Sequence, residues 1–191
     1  MPVVLVRRPE VPVVQVQALF DAGFAADSGT KLGTAAFAMR MLNEGAGAYG
    51  ALDFAARAED LGAEVGANAG LDSSSAFVSA LSDRLDPSLA LLATMLREPR
   101  LDTAEIERVR KQWMARIARE KTQPNSIAQR LLPPLMYGEA HPYGIPFTGS
   151  GTESSISALT RADLLSHLQS WIRPDNMRLV VVGDTTPEAI R

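Results

Sequence analysis

Apolar residues in this chain fall into runs and periodic stripes whose spacing marks out its elements before any chemistry is considered. Val3-Val4-Leu5-Val6 is a short unbroken apolar run, Pro9-Glu10 reads as a turn, and a longer valine-rich run extends from Val11 to Phe20. Runs of this length bounded by turn residues predict two strands, the second closed by Asp21-Ala22-Gly23. After a flexible lead over Gly29 to Gly33, residues 34 to 44 predict a helix that is apolar nearly all round and therefore buried. Gly45 and Gly47 then supply the backbone freedom that ends helices.

A second helix is predicted over 51 to 61, with Leu52, Phe54, Ala55, Ala58 and Leu61 sharing a face. Ala63 to Ala69 and Ser74 to Leu81 read as two strands joined through Gly70-Leu71-Asp72, a hairpin. Asp86-Pro87 offers a helix N-cap followed by proline at the first helical position, opening a helix through Met95. Asp102 with Glu105 three residues on reads as a capping box for a charged helix to about residue 121. On that helix Ile106, Val109, Trp113 and Ile117 recur at spacings of three and four, so one stripe faces a core. A helix over 125 to 137, an irregular stretch from Gly138 to Ser155, a helix from Thr160 with Asp163 to about Trp171, and a strand from Met177 to Asp184 complete the reading. Pro187-Glu188-Ala189-Ile190 suggests the start of a further helix. Strands interleaved irregularly with helix pairs predict an α+β fold: a mainly antiparallel sheet with helices packed on one face.

With 191 residues, 46% of them apolar, the chain is long enough to bury a sizeable core, and one globular unit is expected. Its net charge of -3, with basic and acidic residues dispersed, provides no stripe for neutralising phosphates and argues against nucleic acid as a partner. No apolar run reaches the length of a membrane span. Met1 leads straight into the first strand, so a periplasmic location would require an export signal upstream; without one the chain would be cytoplasmic. The absence of cysteine fits either compartment.

The usual catalytic constellations are missing. The chain has two histidines, His141 in the irregular loop and His167 in the helix after Thr160, neither with a histidine four residues on. Glu139 and His141 could share an ion, although a loop pair satisfied by backbone groups is the commoner arrangement; His167 reads as a solvated or packed helix residue. Thr148-Gly149-Ser150-Gly151-Thr152 lacks both the nucleophile elbow and the Gly-Lys-Ser/Thr ending of a phosphate loop, and reads as a surface turn.

Taken in order, several segments resemble one half of an insulinase-like (pitrilysin family) zinc peptidase. They are Phe20-Asp21-Ala22-Gly23; the helix from Gly33 to Glu44-Gly45; Leu61-Gly62-Ala63 with Asn68-Ala69; Arg97-Glu98-Pro99 with Glu107-Arg108; His141-Pro142-Tyr143-Gly144; Gly149 to Gly151 with Ser157 to Thr160; and Pro174 to Met177 with Val182-Gly183-Asp184. In that family the first long helix carries the inverted motif H-x-x-E-H, and a glutamate on a later helix completes the zinc site. The resemblance puts Ala36 and Arg40 at the histidine positions, Met39 at the general-base position and Arg116 at the distal glutamate position. A methyl group and two guanidiniums offer no metal donor, and Met39 cannot act as a base.

The resemblance therefore implies a degenerate, non-catalytic half or subunit. Residues 1–191 would be most of one such domain, cut short at the C-terminal end, with no activity alone. Zinc would come from a catalytic partner, in the same polypeptide or as a second subunit of a heterodimer, and an extended peptide would pair with a sheet edge at Asn68 and Ala69. The alternatives left open are a structural core subunit with no role in proteolysis and an active zinc peptidase with displaced ligands. For Arg40 the favoured expectation is a salt bridge to Glu44 that fills the vacated site; contact with a substrate carbonyl or C-terminus is the alternative.

Overall fold

The structure, a computed structural model, describes residues 1–27, 29 and 31–190. Thr30, within the predicted flexible lead, lies outside the described residues. The order is β1 (Val3–Arg7), β2 (Val13–Phe20), α1 (Thr34–Leu42), a small ribbon of β3 (Gly45–Ala46) and β4 (Tyr49–Gly50), α2 (Ala51–Asp60), β5 (Glu64–Ala69) and β6 (Ser74–Leu81). Then come α3 (Leu85–Arg97), α4 (Thr103–Glu120), α5 (Pro124–Tyr137), α6 (Glu153–Ser157), α7 (Arg161–Trp171) and β7 (Met177–Gly183).

The main sheet has five strands in the order β1-β7-β2-β6-β5. The two N-terminal strands do not pair with each other, because β7 lies between them, parallel to β1 and antiparallel to β2. All other pairings in this sheet are antiparallel. Side chains alternate across the pleat: Val14, Val16, Ala18 and Phe20 of β2 are buried, and Ala80, Val78 and Ala76 opposite the first three extend the same apolar face. Helices α1, α3 and α7 cover that face, while Gln15 and its cross-strand partner Ser79 point the other way. This is the expected α+β architecture, mainly antiparallel with helices on one side.

Several local expectations hold in detail. Ile106, Val109, Trp113 and Ile117 are all buried, and Thr160 and Asp163 form a reciprocal capping box at the start of α7. Others need correction. Phe54 and Ala58 of α2 and Leu61 at its C-cap are buried, whereas Ala55 is exposed and Leu52 is 86% exposed. At 100° per residue it lies almost opposite Phe54. Asp86 lies inside α3, whose N-cap is Arg84. Asp102 does occupy the N-cap of α4, but it makes no side-chain cap and pairs with Arg100 at 2.8 Å instead. The stretch expected to be irregular contains α6, nucleated by a capping box of Thr152 and Ser155. Residues 187–190 form turns, not the start of a helix.

Candidate functional site

The site is built on α1, whose orientation is set at its first turn. Gly33 occupies the N-cap with φ 93°, a left-handed conformation suited to glycine. The buried Asp27 carboxylate accepts the Gly33 N–H at 2.9 Å and the Ala35 N–H at 3.1 Å. Phe37, Ala38, Met39, Met41 and Leu42 are then directed into the main core. Ala36 and Arg40, one turn apart, share the remaining face and open onto a cleft of about 160 Å³. Arg116 of α4 and Asn68 and Ala69 of β5 line the same cleft. Five of the six residues singled out in the sequence thus converge on one surface. Met39 does not: it is fully buried.

Two buried carboxylates hold the arginines. Glu44 receives Arg40 at 2.7 Å on one oxygen and Arg108 on the other. Glu120, the last residue of α4, receives Arg116 at 2.9 Å and, on its other oxygen, Arg130 at 2.9 Å and the Ser150 hydroxyl at 2.5 Å. Burial by itself would raise the Glu120 carboxyl, but the Ser150 hydrogen bond and the Arg116 and Arg130 guanidiniums together hold it below its ordinary value. Arg130 also donates to the Gly151 carbonyl at 2.7 Å, and Arg116 to the Thr148 carbonyl at 3.1 Å, so the glycine-rich loop is tied down beside the cleft. Trp113 completes the floor: its indole N–H donates to the Ser150 carbonyl at 2.9 Å, and the Arg116 guanidinium lies 5.1 Å from its ring centre.

The third wall is the outer edge of the sheet. Among the described residues β5 pairs as a strand with β6 alone, so its far side offers unpaired main-chain groups as far as Ala69, beyond which Gly70 and Leu71 accept the Phe24 and Ala25 N–H groups. At Ala67 that edge is occupied from within. The Asn43 side chain accepts the Ala67 N–H at 2.9 Å and donates to the Ala67 carbonyl at 3.1 Å, imitating one residue of an added strand. The Asn68 side chain turns back to the sheet, where its carbonyl oxygen accepts the Ser75 hydroxyl at 3.0 Å.

The donor set does not suit zinc, which takes nitrogen, oxygen or sulfur ligands from at least three side chains. Ala36, Arg40 and Arg116 supply none, and Arg40 and Arg116 place two positive charges at the cleft. Among the described residues no group of three or more His, Cys, Asp or Glu is arranged to hold a metal. The histidines lie elsewhere. His167 is buried on α7, where burial pushes it down to about 4, while the exposed His141 ring stacks on Tyr137 and accepts the Tyr143 N–H at 3.0 Å. Sequence reading gives Asn43, Glu120 and Arg130 no place in the site and takes Ser150 for part of a surface turn, whereas Gly149, Ser150 and Gly151 are buried against the Glu120 network. One signal was present: Glu120 continues the Trp113–Ile117 stripe by three residues, placing a carboxylate on a buried face.

Comparison with known proteins sets this geometry in context. The sequence pattern of the family described as Insulinase (Peptidase family M16) matches residues 2–146, and that described as Peptidase M16 inactive domain matches residues 158–191. An uncharacterized zinc protease from Mycobacterium leprae is 25% identical over 182 residues, covering 95% of this chain and 40% of that protein. The crystal structure of a peptidase M16 inactive domain from Pseudomonas fluorescens superposes with a TM-score of 0.93 at 29% identity, over 98% of this chain and 45% of that one. The periplasmic protease PqqL from Escherichia coli has the same fold, with a TM-score of 0.82 at 18% identity over 97% of this chain and 21% of its own length. The chain spans less than half the length of these relatives.

Proposed function

The chain belongs to the insulinase peptidase family M16, and on that basis we propose that it is the non-catalytic half of a zinc peptidase assembly. In this reading it is most of one domain of the assembly. It forms part of the wall of a chamber, holds an extended peptide at the β5 edge beside Asn68 and Ala69, and leaves hydrolysis to a zinc-bearing partner half, either covalently joined or a separate subunit. The observation that carries the reading is the convergence of Ala36, Arg40 and Arg116 on one cleft beside that edge. In this reading the sheet edge beside the cleft takes the peptide main chain, while the cleft side chains Ala36, Arg40 and Arg116 offer neither metal ligand nor base. A periplasmic location is part of the same proposal and is tested by cell fractionation.

The test is cleavage of a fluorogenic peptide by this chain alone, by a candidate zinc-bearing M16 half from the same source, and by the two together. Cleavage only in the mixture is expected. Cleavage by this chain alone overturns the reading. Equal rates for the zinc half with and without this chain favour a purely structural subunit.

A further inference from the structure

The obstruction at Ala67 and the charges beside it constrain what the β5 edge can accept. Residues two apart on a strand turn their main-chain groups to the same side, so Ala69 faces outward as Ala67 does. Ala67 is already engaged through both its N–H and its carbonyl by Asn43. Just beyond Ala69 the Gly70 and Leu71 carbonyls accept the Phe24 and Ala25 N–H groups, each at 2.9 Å, so a peptide meets this edge at Ala69 alone; it cannot run on past Ala67 without displacing Asn43, and its path ends at the cleft. Arg40 and Arg116 stand there, and among the described residues the cleft wall carries these two guanidiniums and no carboxylate. Glu44 and Glu120 hold them from behind, each shared with a second arginine.

The polarity of the chain decides which end of a peptide this suits. An added strand antiparallel to β5 runs from the Ala69 end toward Glu64, and so brings its C-terminal end to the obstruction. A parallel one would bring its ammonium terminus against two cations. We propose that the cleft is a binding site for the C-terminal carboxylate of an extended peptide, with Ala69 pairing the main chain, Arg40 and Arg116 holding the carboxylate, and Asn43 stopping the strand. This rests on the reading of the β5 edge as a peptide-binding edge and adds which part of the peptide is recognised.

The test uses the full chain and three peptides labelled with fluorescein at the N-terminus: a nine-residue serine, threonine and valine sequence as its free acid, the same sequence as its C-terminal amide, and an amidated version ending in glutamate. Binding followed by fluorescence anisotropy is expected to favour the free acid over either amide by about tenfold, since a charge-assisted contact made by arginine is lost with the carboxylate. Arg40→Gln, which leaves Glu44 paired to Arg108, should remove most of that preference. Asn43→Ala should do so by another route, freeing Ala67 and letting the amides bind more tightly. Equal affinity of free acid and amide overturns the terminal site while leaving strand addition standing. Equal affinity of the free acid and the glutamate amide overturns it in favour of any carboxylate. Binding of none of the three removes the peptide-binding reading, and this inference with it.

Discussion

Arg40 and Glu44 stand one helical turn apart and meet at 2.7 Å, with the arginine 41% exposed and the carboxylate buried. Their asymmetry fixes the effect of removing each. Arg40→Gln leaves Glu44 paired to Arg108 and frees a solvated chain end, so it should cost under about 1 kcal/mol of stability. Glu44→Ala removes the acceptor of two guanidiniums and should cost about 1–3 kcal/mol. Urea unfolding of the two variants checks the order, and a costlier Arg40 substitution would contradict it.

Glu120 plays the corresponding part for the glycine-rich loop, since it joins Arg116 and Arg130 to the Ser150 hydroxyl. The Glu120 and Arg130 side chains are each only 10% exposed, so breaking the pair strands a charge. Glu120→Gln should lower stability by about 3 kcal/mol and release protection from hydrogen exchange at residues 148–151 before it does so in the sheet. Uniform loss of protection would show that the network does not hold the loop.

Two buried groups facing one cavity titrate in opposite senses. Burial raises Asp27 to about 7 despite the N–H groups of Ala35, Gly33 and Thr34, and burial lowers His167 to about 4. Both line a cavity of about 400 Å³ that also contains Lys31 and Asp163, which pair with each other at 2.7 Å. For Asp27, with a raised folded value, the contribution to stability is full below the unfolded value of 3.8 and is lost as pH rises through about 7. For His167, with a lowered folded value, it is full above 6.5 and is lost as pH falls toward about 4. The slopes oppose each other between these limits, each at most about 1.4 kcal/mol per pH unit. Asp27→Asn should therefore make stability rise across the window, and His167→Gln should make it fall, with the unaltered chain flatter than both. Parallel urea-midpoint profiles for all three proteins would contradict this.

The convergence of positions 36, 40 and 116 is open to a constructive test. The triple change Ala36→His, Arg40→His and Arg116→Glu puts three donors on one cleft and should produce zinc affinity in the micromolar range or better by calorimetry. A folded variant without measurable affinity would show that these side chains do not meet at one point.

The elements were legible in the sequence wherever an apolar period was long and uninterrupted, as in the Ile106 to Ile117 stripe or the valine runs of β1 and β2. What escaped was pairing between distant segments. Nothing local in Met177–Gly183 announces that it separates two strands joined by a short turn, because the ladder is decided by the whole sheet. The cleft followed the same division. Arg40 found Glu44 because an i,i+4 pair is a local relation, whereas Asn43 on Ala67 and Ser150 on Glu120 join residues 24 and 30 positions apart. Leu52 was misplaced because an apolar residue on an amphipathic helix was counted by type and not by angle.

The central claim is that this chain contributes no metal chemistry of its own, and metal content measures it most directly. The chain is saturated with zinc, dialysed, and assayed by mass spectrometry for bound metal. The account predicts well under one zinc per chain, with no change on Ala36→Val or Arg116→Gln. Stoichiometric zinc that is lost on altering the cleft would contradict it.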